Sequence, residues 1–133
     1  MPEQLKKAYL ATPYSHPKEE FREMRFRIAN KIAAEIMVNG VDGVRYAVFS
    51  PISHSHPVSA YTGPQDHDFW MGQDLPWLAC ADVLLVYPYD AEDVSRGVVA
   101  EVAFAKEHGI PVIYLNPIKT GEEMRHDTAN LGR

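Results

Sequence analysis

The stretch that decides the fold is residues 73–105, QDLPWLACADVLLVYPYDAEDVSRGVVAEVAFA. Its centre, residues 83–87, is a short run of apolar and β-branched residues, which is typical of a strand covered on both faces in a parallel sheet. Residues 98–105 then place valines and alanines at helical spacing, with Glu101 among them. The pattern predicts a buried strand, a loop, and a helix that packs on the sheet and carries a carboxylate within its apolar segment.

The same alternation of strands and helices extends outward on both sides of this stretch. Residues 6–11, 46–49 and 110–115 are further short apolar runs, and they predict three more strands. Residues 18–39 have helical periodicity and stop at Gly40, as expected for a helix between the first two strands. The sequence therefore predicts an α/β fold with a mainly parallel sheet of four or five strands and right-handed crossovers.

The segment between the second strand and the central stretch divides into two parts. Residues 52–66 are rich in His, Ser, Pro and Gly and have no apolar period. We expect a long loop there, and long loops in α/β domains are commonly functional. Residues 68–79 predict a helix, or two short helices that meet at Pro76.

Composition limits the functions open to the chain. The 133 residues correspond to one domain, and the net charge of −5 disfavours a nucleic acid polymer as a partner. No apolar run approaches the length that crosses a bilayer, so no membrane contact is expected. The single cysteine, Cys80, predicts no internal disulfide and is expected to be a small buried residue. Together these features favour a cytoplasmic protein.

The predicted topology also indicates where a ligand would bind. In open α/β sheets, ligands bind beyond the carboxyl ends of the strands, at the loops that follow them. Glu101 lies about one helical turn past Gly97, near that edge, and a helix N-terminus favours an ionised carboxylate. A carboxylate in this position can attack an anomeric carbon, because the transition state is electron-poor and the glycosyl ester is displaced by a second nucleophile.

The residues that carry this chemistry resemble those of a known family. Tyr9 in the first strand, QDL at 73–75, ADV at 81–83, and SRG at 95–97 followed by Glu101 occur in this order along the chain. Their order and spacing resemble the nucleoside 2-deoxyribosyltransferase superfamily, which includes the 2'-deoxynucleoside 5'-phosphate N-hydrolases.

The resemblance implies a fold, an assembly and a reaction. The fold is a single Rossmann-like (flavodoxin-like) domain over residues 1–117, and residues 118–133 form a polar tail that either frays or lies across a neighbouring subunit. The assembly is a homodimer or a higher homo-oligomer. The reaction is cleavage or exchange of the N-glycosidic bond of a deoxyribonucleoside or its 5'-monophosphate, with hydrolysis slightly favoured over transfer. No cofactor and no metal ion are implied.

By the same resemblance, three residues are expected to be catalytic. Glu101 is the expected nucleophile, which attacks C1' and forms a glycosyl-enzyme that water or an acceptor base resolves. Asp74 is expected to contact the sugar and the base and to assist proton transfer to the leaving base. Tyr9 is expected to orient the nucleophile by hydrogen bonding.

Further residues are expected to bind the substrate, and they lie after the first strand and before the helix of Glu101: Thr12, Ser15, His16, Ser95, Arg96 and Gly97. Ser95 and Gly97 match the family's turn whose hydroxyl and N–H groups approach the substrate and, in the nucleotide branch, help to hold the 5'-phosphate. The nucleotide hydrolases have a glycine-rich segment after the first strand, whereas residues 11–16 contain no glycine. A nucleoside and a 5'-monophosphate therefore both remain open as substrates.

Two alternatives belong to other classes of function. The segment 54–68 contains imidazoles and carboxylates that are possible ligands of zinc or another transition metal, which would make the protein a metal-dependent hydrolase: His54, His56, Asp66, His67 and Asp68. The second alternative is a domain that binds a nucleoside or nucleotide without turning it over, since this fold class includes many binding modules.

Overall fold

The elements of the protein follow each other in the alternating order that the sequence predicts. A computed structural model describes residues 4–87 and 96–116. The elements are, in chain order, β1 (Lys6–Ala11), α1 (Glu19–Asn39), β2 (Tyr46–Phe49), α2 (Pro51–Thr62), α3 (His67–Leu78), β3 (Val83–Val86), α4 (Arg96–Glu107) and β4 (Val112–Tyr114). The strands form one sheet in the order β2-β1-β3-β4, and every pair is parallel. The fold is therefore α/β and Rossmann-like, which confirms the predicted class.

The order of the strands reverses between β1 and β3. From β1 the chain crosses to β2 on one side, and it then returns past β1 to reach β3 and β4 on the other side. In a parallel sheet this reversal separates the loops that follow the two central strands, and ligands bind between them. Ala11 at the end of β1 pairs with Val86 at the end of β3, so both loops start from the same edge.

Two apolar cores cover the two faces of the sheet. Ala8 and Leu10 of β1 pack with α1 in one core. Tyr9 of β1 packs in the other core with Leu78 of α3 and Ala105 of α4. Because successive side chains of a strand point to opposite faces, this alternation places the Tyr9 ring between the sheet and the pair of helices α3 and α4.

The structure corrects the expectation of a loop over residues 52–66. Pro51–Thr62 forms the helix α2, with Pro51 in its first turn and Pro57 inside it. Proline is well suited to a first turn, where its missing N–H costs nothing. Only Pro51 of this helix is buried, so the sequence has no apolar stripe from which a helix could be recognised.

Two smaller expectations also change. α3 is a single helix with Pro76 in its last turn, where the proline leaves the remaining turns intact, and the Asp66 side chain caps its start by accepting a hydrogen bond of 2.8 Å from Phe69 N. Cys80, which was expected to be buried, is exposed because it lies just beyond the end of α3.

The predicted tail, residues 118–133, lies outside the described residues. No helix in the described ranges is long and apolar enough to cross a membrane.

Candidate active site

The centre of the site is a buried hydrogen bond between two distant elements. The Tyr9 hydroxyl on β1 donates to Oε2 of Glu101 on α4. Tyr9 is 1% exposed and Glu101 is 4% exposed. Glu101 lies in the second turn of α4, where Val98 and Val102 pack against the same core as the Tyr9 ring. The apolar face of α4 thus carries one carboxyl group into the protein.

A second carboxyl group joins this pair from α3. Asp74 is buried, and its charge acts on both Tyr9 and Glu101. The helices α3 and α4 contact each other on one face of the sheet, which explains how carboxyl groups from both helices approach the Tyr9 ring. The structure therefore brings together the three residues that the sequence singles out for catalysis, and their roles in a reaction stay predictions.

Burial controls the protonation of this group. Desolvation raises the pKa of Glu101 to about 8, although the hydrogen bond from Tyr9 lowers it and the charge of Asp74 raises it further. Desolvation also raises the pKa of Asp74 to about 6, and the charge of His54 opposes this rise. The pKa of Tyr9 is raised by burial and by the two carboxyl groups, so its hydroxyl remains a donor. Burial therefore outweighs the helix N-terminus, which was expected to favour an ionised Glu101.

The two carboxyl groups are best described as a coupled pair. Interacting groups lose their protons in steps that belong to the pair rather than to either residue. Between a pKa of about 6 and a pKa of about 8, the pair of Asp74 and Glu101 holds one proton and one negative charge. Nucleophilic glycoside cleavage requires one ionised and one protonated carboxyl group. Because the pKa of Glu101 is the higher of the two, the proton lies mainly on Glu101, and an ionised Glu101 beside a protonated Asp74 is the less populated arrangement.

A cavity of about 170 Å³ opens beside Asp74, between α2 and α3. Four aromatic rings line it: Phe49, Phe69, Trp70 and Trp77. The Phe49 ring lies 5.8 Å from the Tyr9 ring and 5.7 Å from the Trp77 ring, centroid to centroid. The aromatic wall is therefore continuous from the hydrogen-bonded pair of Tyr9 and Glu101 to the cavity. Apolar rings combined with a few polar groups are typical of a site for a planar ligand.

The polar residues that line the cavity are His54, Ser55 and Thr62 of α2 and Gln73 and Asp74 of α3. The sequence indicated Asp74 as a residue that contacts the base, but it indicated no binding role for the aromatic residues of α3. With residues 52–66 expected to form a loop, no second wall was available to face them. A helical interpretation of that segment would have placed residues 54, 55, 58 and 62 on one face, because residues three and four apart lie next to each other on a helix.

The predicted binding residues after β1 occupy different environments. Thr12 is buried, and its Oγ1 has no hydrogen-bond partner among the described residues. Ser15 is exposed, and its carbonyl oxygen accepts a hydrogen bond of 2.8 Å from Arg25. The His16 ring packs tilted against the Phe21 ring, with centroids 4.3 Å apart, and its Nδ1 accepts a hydrogen bond from Lys18 N. Thr12 is therefore the member of this group with an uncommitted buried hydroxyl group in the described structure.

The predicted binding residues before Glu101 lie at the start of α4. Arg96 and Gly97 are its first two residues, and Arg96 is exposed. Ser95 lies outside the described residues. Arg96 and Gly97 thus lie in the first turn of the helix that carries Glu101.

The histidine-rich segment does not assemble metal ligands. No group of three or more His, Cys, Asp or Glu side chains within residues 4–87 and 96–116 is arranged to hold a metal ion. His54 lines the cavity, His56 contacts Tyr14 and Glu23, and Asp66 caps α3. Because the segment is a helix, residues 54 and 56 point about 200° apart. The metal-dependent alternative therefore has no ligand set in this segment.

Comparison with known proteins places the chain in a family. It belongs to the family described as "Domain of unknown function (DUF1937)", which matches residues 6–116. The match spans every element from β1 to β4 and includes Tyr9, Asp74 and Glu101. No curated protein matches the chain. The fold and the family are thus defined, and the activity has to be inferred from the site.

Proposed function

We propose that this protein cleaves the N-glycosidic bond of a nucleoside or a nucleoside 5'-monophosphate through a covalent glycosyl-enzyme on Glu101. The observation that carries the proposal is the buried hydrogen bond from Tyr9 to Glu101, with Asp74 beside it at the edge of an aromatic cavity. The resemblance to the nucleoside 2-deoxyribosyltransferase superfamily supports a 2-deoxyribosyl substrate. The proposal includes a cytoplasmic homo-oligomer and requires no cofactor.

In the first step, the carboxyl pair reacts from its less populated arrangement, in which the proton lies on Asp74, and the carboxylate of Glu101 attacks C1' on the side opposite the base. A bond forms between Glu101 and C1', the bond from C1' to the base nitrogen breaks, and its electron pair leaves with the base. Asp74 supplies the proton that neutralises the departing nitrogen. Tyr9 holds Oε2 of Glu101, which leaves Oε1 as the attacking atom. The hydroxyl of Tyr9 also counters the rise in pKa that burial causes at Glu101.

In the second step, Asp74 acts in the opposite sense. Its carboxylate takes a proton from water, the water oxygen attacks C1', and the bond between C1' and Glu101 breaks to release the sugar. A second base in place of water would give transfer instead of hydrolysis. We favour hydrolysis because the spacing from Ser95 to Glu101 is closer to that of the hydrolase branch of the superfamily.

The aromatic cavity is the proposed site of the base. A planar heterocycle can stack on rings such as Phe49 and Trp70, while Gln73 and Asp74 face its polar edge. This arrangement also explains why Asp74 serves as the acid, since it lies where the base leaves. The loop after β1 then faces the sugar and its 5'-substituent, and Thr12 supplies a hydroxyl group there.

The test is a chromatographic screen for free base from deoxyribonucleosides, ribonucleosides and their 5'-monophosphates. The wild type should release base from part of this panel, and Glu101→Gln should release none. A denaturing quench followed by intact-mass spectrometry should detect a sugar adduct on the wild type alone. Base release at the wild-type rate by Glu101→Gln would refute the mechanism.

One observation favours a second candidate, a domain that binds a nucleoside without cleaving it. With a pKa of about 8, Glu101 is mostly protonated at neutral pH, and a protonated carboxyl group is not a nucleophile. The two candidates differ in the behaviour of Glu101→Gln. Equal binding of a nucleoside by the variant and the wild type, without base release by either at any pH, would favour the binding domain.

A further inference from the structure

Helix α2 forms one wall of the cavity, yet it contributes little to the apolar core. Of its residues only Pro51 is buried, and its N-cap residue Ser50 makes no side-chain capping hydrogen bond. Pro57 lies inside the helix, where it lacks the N–H that would donate to the preceding turn. A short helix is marginal in water without packing. Polar contacts must therefore fix the position of α2.

Those contacts converge on His56. Its Nε2 lies 3.0 Å from Oε1 of Glu23 on α1, and its Nδ1 lies 2.6 Å from the hydroxyl oxygen of Tyr14 in the loop after β1. Its ring stacks on Phe26 of α1 at 4.3 Å between centroids, and its side chain is 15% exposed. One imidazole thus connects α2 with α1 and with the loop that follows β1.

The hydrogen-bond donors and acceptors of Glu23, His56 and Tyr14 fit one arrangement. The hydrogen bond with His56 lowers the pKa of Glu23, so its carboxylate is ionised and only accepts. Nε2 of His56 is then the donor, and in the neutral imidazole Nδ1 is left as an acceptor. Burial raises the pKa of Tyr14, and Arg22 opposes that rise. The Tyr14 hydroxyl keeps its proton and donates it to His56.

The opposite face of α2 lines the cavity. His54, Ser55 and Val58 face α3 across it, and the charge of His54 acts on Asp74. Because residues 54 and 56 point about 200° apart on a helix, the contacts of His56 hold the helix from behind. A shift of α2 away from α1 would move this wall relative to Asp74.

We propose that His56 is a positioning residue, which is held between Glu23 and Tyr14 and thereby fixes the α2 wall of the cavity. The inference rests on the proposed function only in naming a nucleobase as the ligand. Without this contact, α2 occupies displaced positions for part of the time. The apparent affinity for a base then falls in proportion to the fraction of molecules that retain the wall.

Substitutions at His56 separate its hydrogen bonds from its ring. His56→Phe keeps an aromatic ring over Phe26 and removes both hydrogen bonds. His56→Gln loses the ring but carries a donor and an acceptor on one amide, so it can satisfy Glu23 and Tyr14 together. The matched control is His108→Phe, because His108 also stacks on a phenylalanine, Phe104, at 3.9 Å, but lies exposed after the end of α4.

The first measurement needs neither a ligand nor turnover. Both tryptophans of the chain, Trp70 and Trp77, line the cavity, so Trp77→Phe leaves Trp70 as a single fluorescent reporter. In this background, acrylamide should quench Trp70 more strongly after His56→Phe than in the parent. His56→Gln should restore most of the protection, and His108→Phe should leave quenching unchanged.

The second measurement titrates adenine, cytosine and thymine against the same proteins and follows Trp70 fluorescence. His56→Phe should weaken the binding of whichever base the parent binds by about tenfold, because the competent fraction falls. His56→Gln should recover much of this affinity. In base release at steady state, the KM of His56→Phe should rise more than its kcat falls, since Glu101 and Tyr9 are unchanged.

The outcomes separate this inference from the proposed function. Parental quenching and parental base affinity in folded His56→Phe would overturn the inference, and so would a His56→Gln protein that behaves like His56→Phe. If His56→Phe does not fold, Tyr14→Phe decides, because it removes one hydrogen bond and should raise quenching in the same direction. Absence of base release by the wild type, with the quenching changes present, overturns the proposed function alone.

Discussion

The hydroxyl group of Tyr9 donates a hydrogen bond to Glu101 inside the protein, although 92 positions separate the two residues in the chain. This donor acts against the main force on Glu101, which is the desolvation that raises its pKa to about 8. The proposed nucleophile is thus a carboxyl group that burial keeps protonated and that a phenol helps to ionise. Several measurable properties depend on this balance.

Tyr9→Phe removes the donor and should raise the pKa of Glu101 further. The fraction of molecules with an ionised Glu101 then falls, and kcat for base release at pH 7 should drop about tenfold or more, since a hydrogen bond to a charged group contributes on the order of 1.5–3 kcal/mol. The alkaline limb of the pH profile should move to higher pH. Tyr46→Phe, which removes a tyrosine hydroxyl in the core on the other face of the sheet, is the control. An unchanged alkaline limb in Tyr9→Phe would contradict this account.

The wild type should have a bell-shaped dependence of base release on pH. Activity should rise as pH increases through about 6, where the carboxyl pair loses its first proton, and fall through about 8, where it loses the second. The measurement is kcat/KM for the best substrate of the panel between pH 4.5 and pH 10. A profile that continues to rise above pH 9 would show that no protonated member of the pair is needed.

Glu101→Gln should stabilise the fold while it abolishes base release. The native state keeps the proton of Glu101 up to a pKa of about 8, whereas the unfolded chain loses it near the ordinary value of 4.5. Between these values the unfolded state holds fewer protons, so wild-type stability falls as pH rises. The variant has no carboxyl proton to lose at this position. Its free energy of unfolding should therefore exceed that of the wild type by about 1–3 kcal/mol at pH 9 and differ little at pH 4. Urea unfolding at both pH values measures the difference, and an equal effect at both would exclude this cause.

Asp74→Asn should affect substrates according to their need for a proton. Departure of a nucleobase should slow by about 10²–10⁴-fold, the usual contribution of a general acid. The release of nitrophenol from 4-nitrophenyl 2-deoxyriboside should slow far less, because nitrophenolate leaves without a proton. Release of base and of nitrophenol in the first turnover is compared in the same two proteins, because Asp74 also serves the later hydrolysis of the glycosyl-enzyme from either substrate. Equal losses on both substrates would assign Asp74 to binding rather than to proton transfer.

The sequence predicts the sheet and α4 well, and the physical reason is burial. Strands such as β3 are covered on both faces in a parallel sheet, so their apolar runs are continuous and easily recognised. The sequence singles out Tyr9, Asp74 and Glu101 because the resemblance ties them to an order along the chain, and the structure brings them together. That Glu101 lies on the apolar face of α4 follows from its valine and alanine neighbours.

The sequence fails where position depends on polar contacts between distant elements. α2 has almost no buried apolar residue, so nothing in its pattern indicates a helix or its place against α1. The aromatic cavity could not be predicted without that wall. The sequence indicated that the helix N-terminus favours an ionised Glu101, whereas burial raises the pKa of Glu101. The degree of burial depends on the packing of α3, α4 and β1 together, which a position near a helix start does not indicate.

The edge strands of the sheet restrict how copies of this protein can associate. β2 and β4 are the outer strands of the described sheet, and they contain four and three residues. An added strand from another chain would find only a few backbone groups to pair with on either side, and short edges of this kind discourage sheet-to-sheet growth. Among the described elements, the helices therefore offer the larger surfaces for contact between copies, and each copy would keep its own sheet.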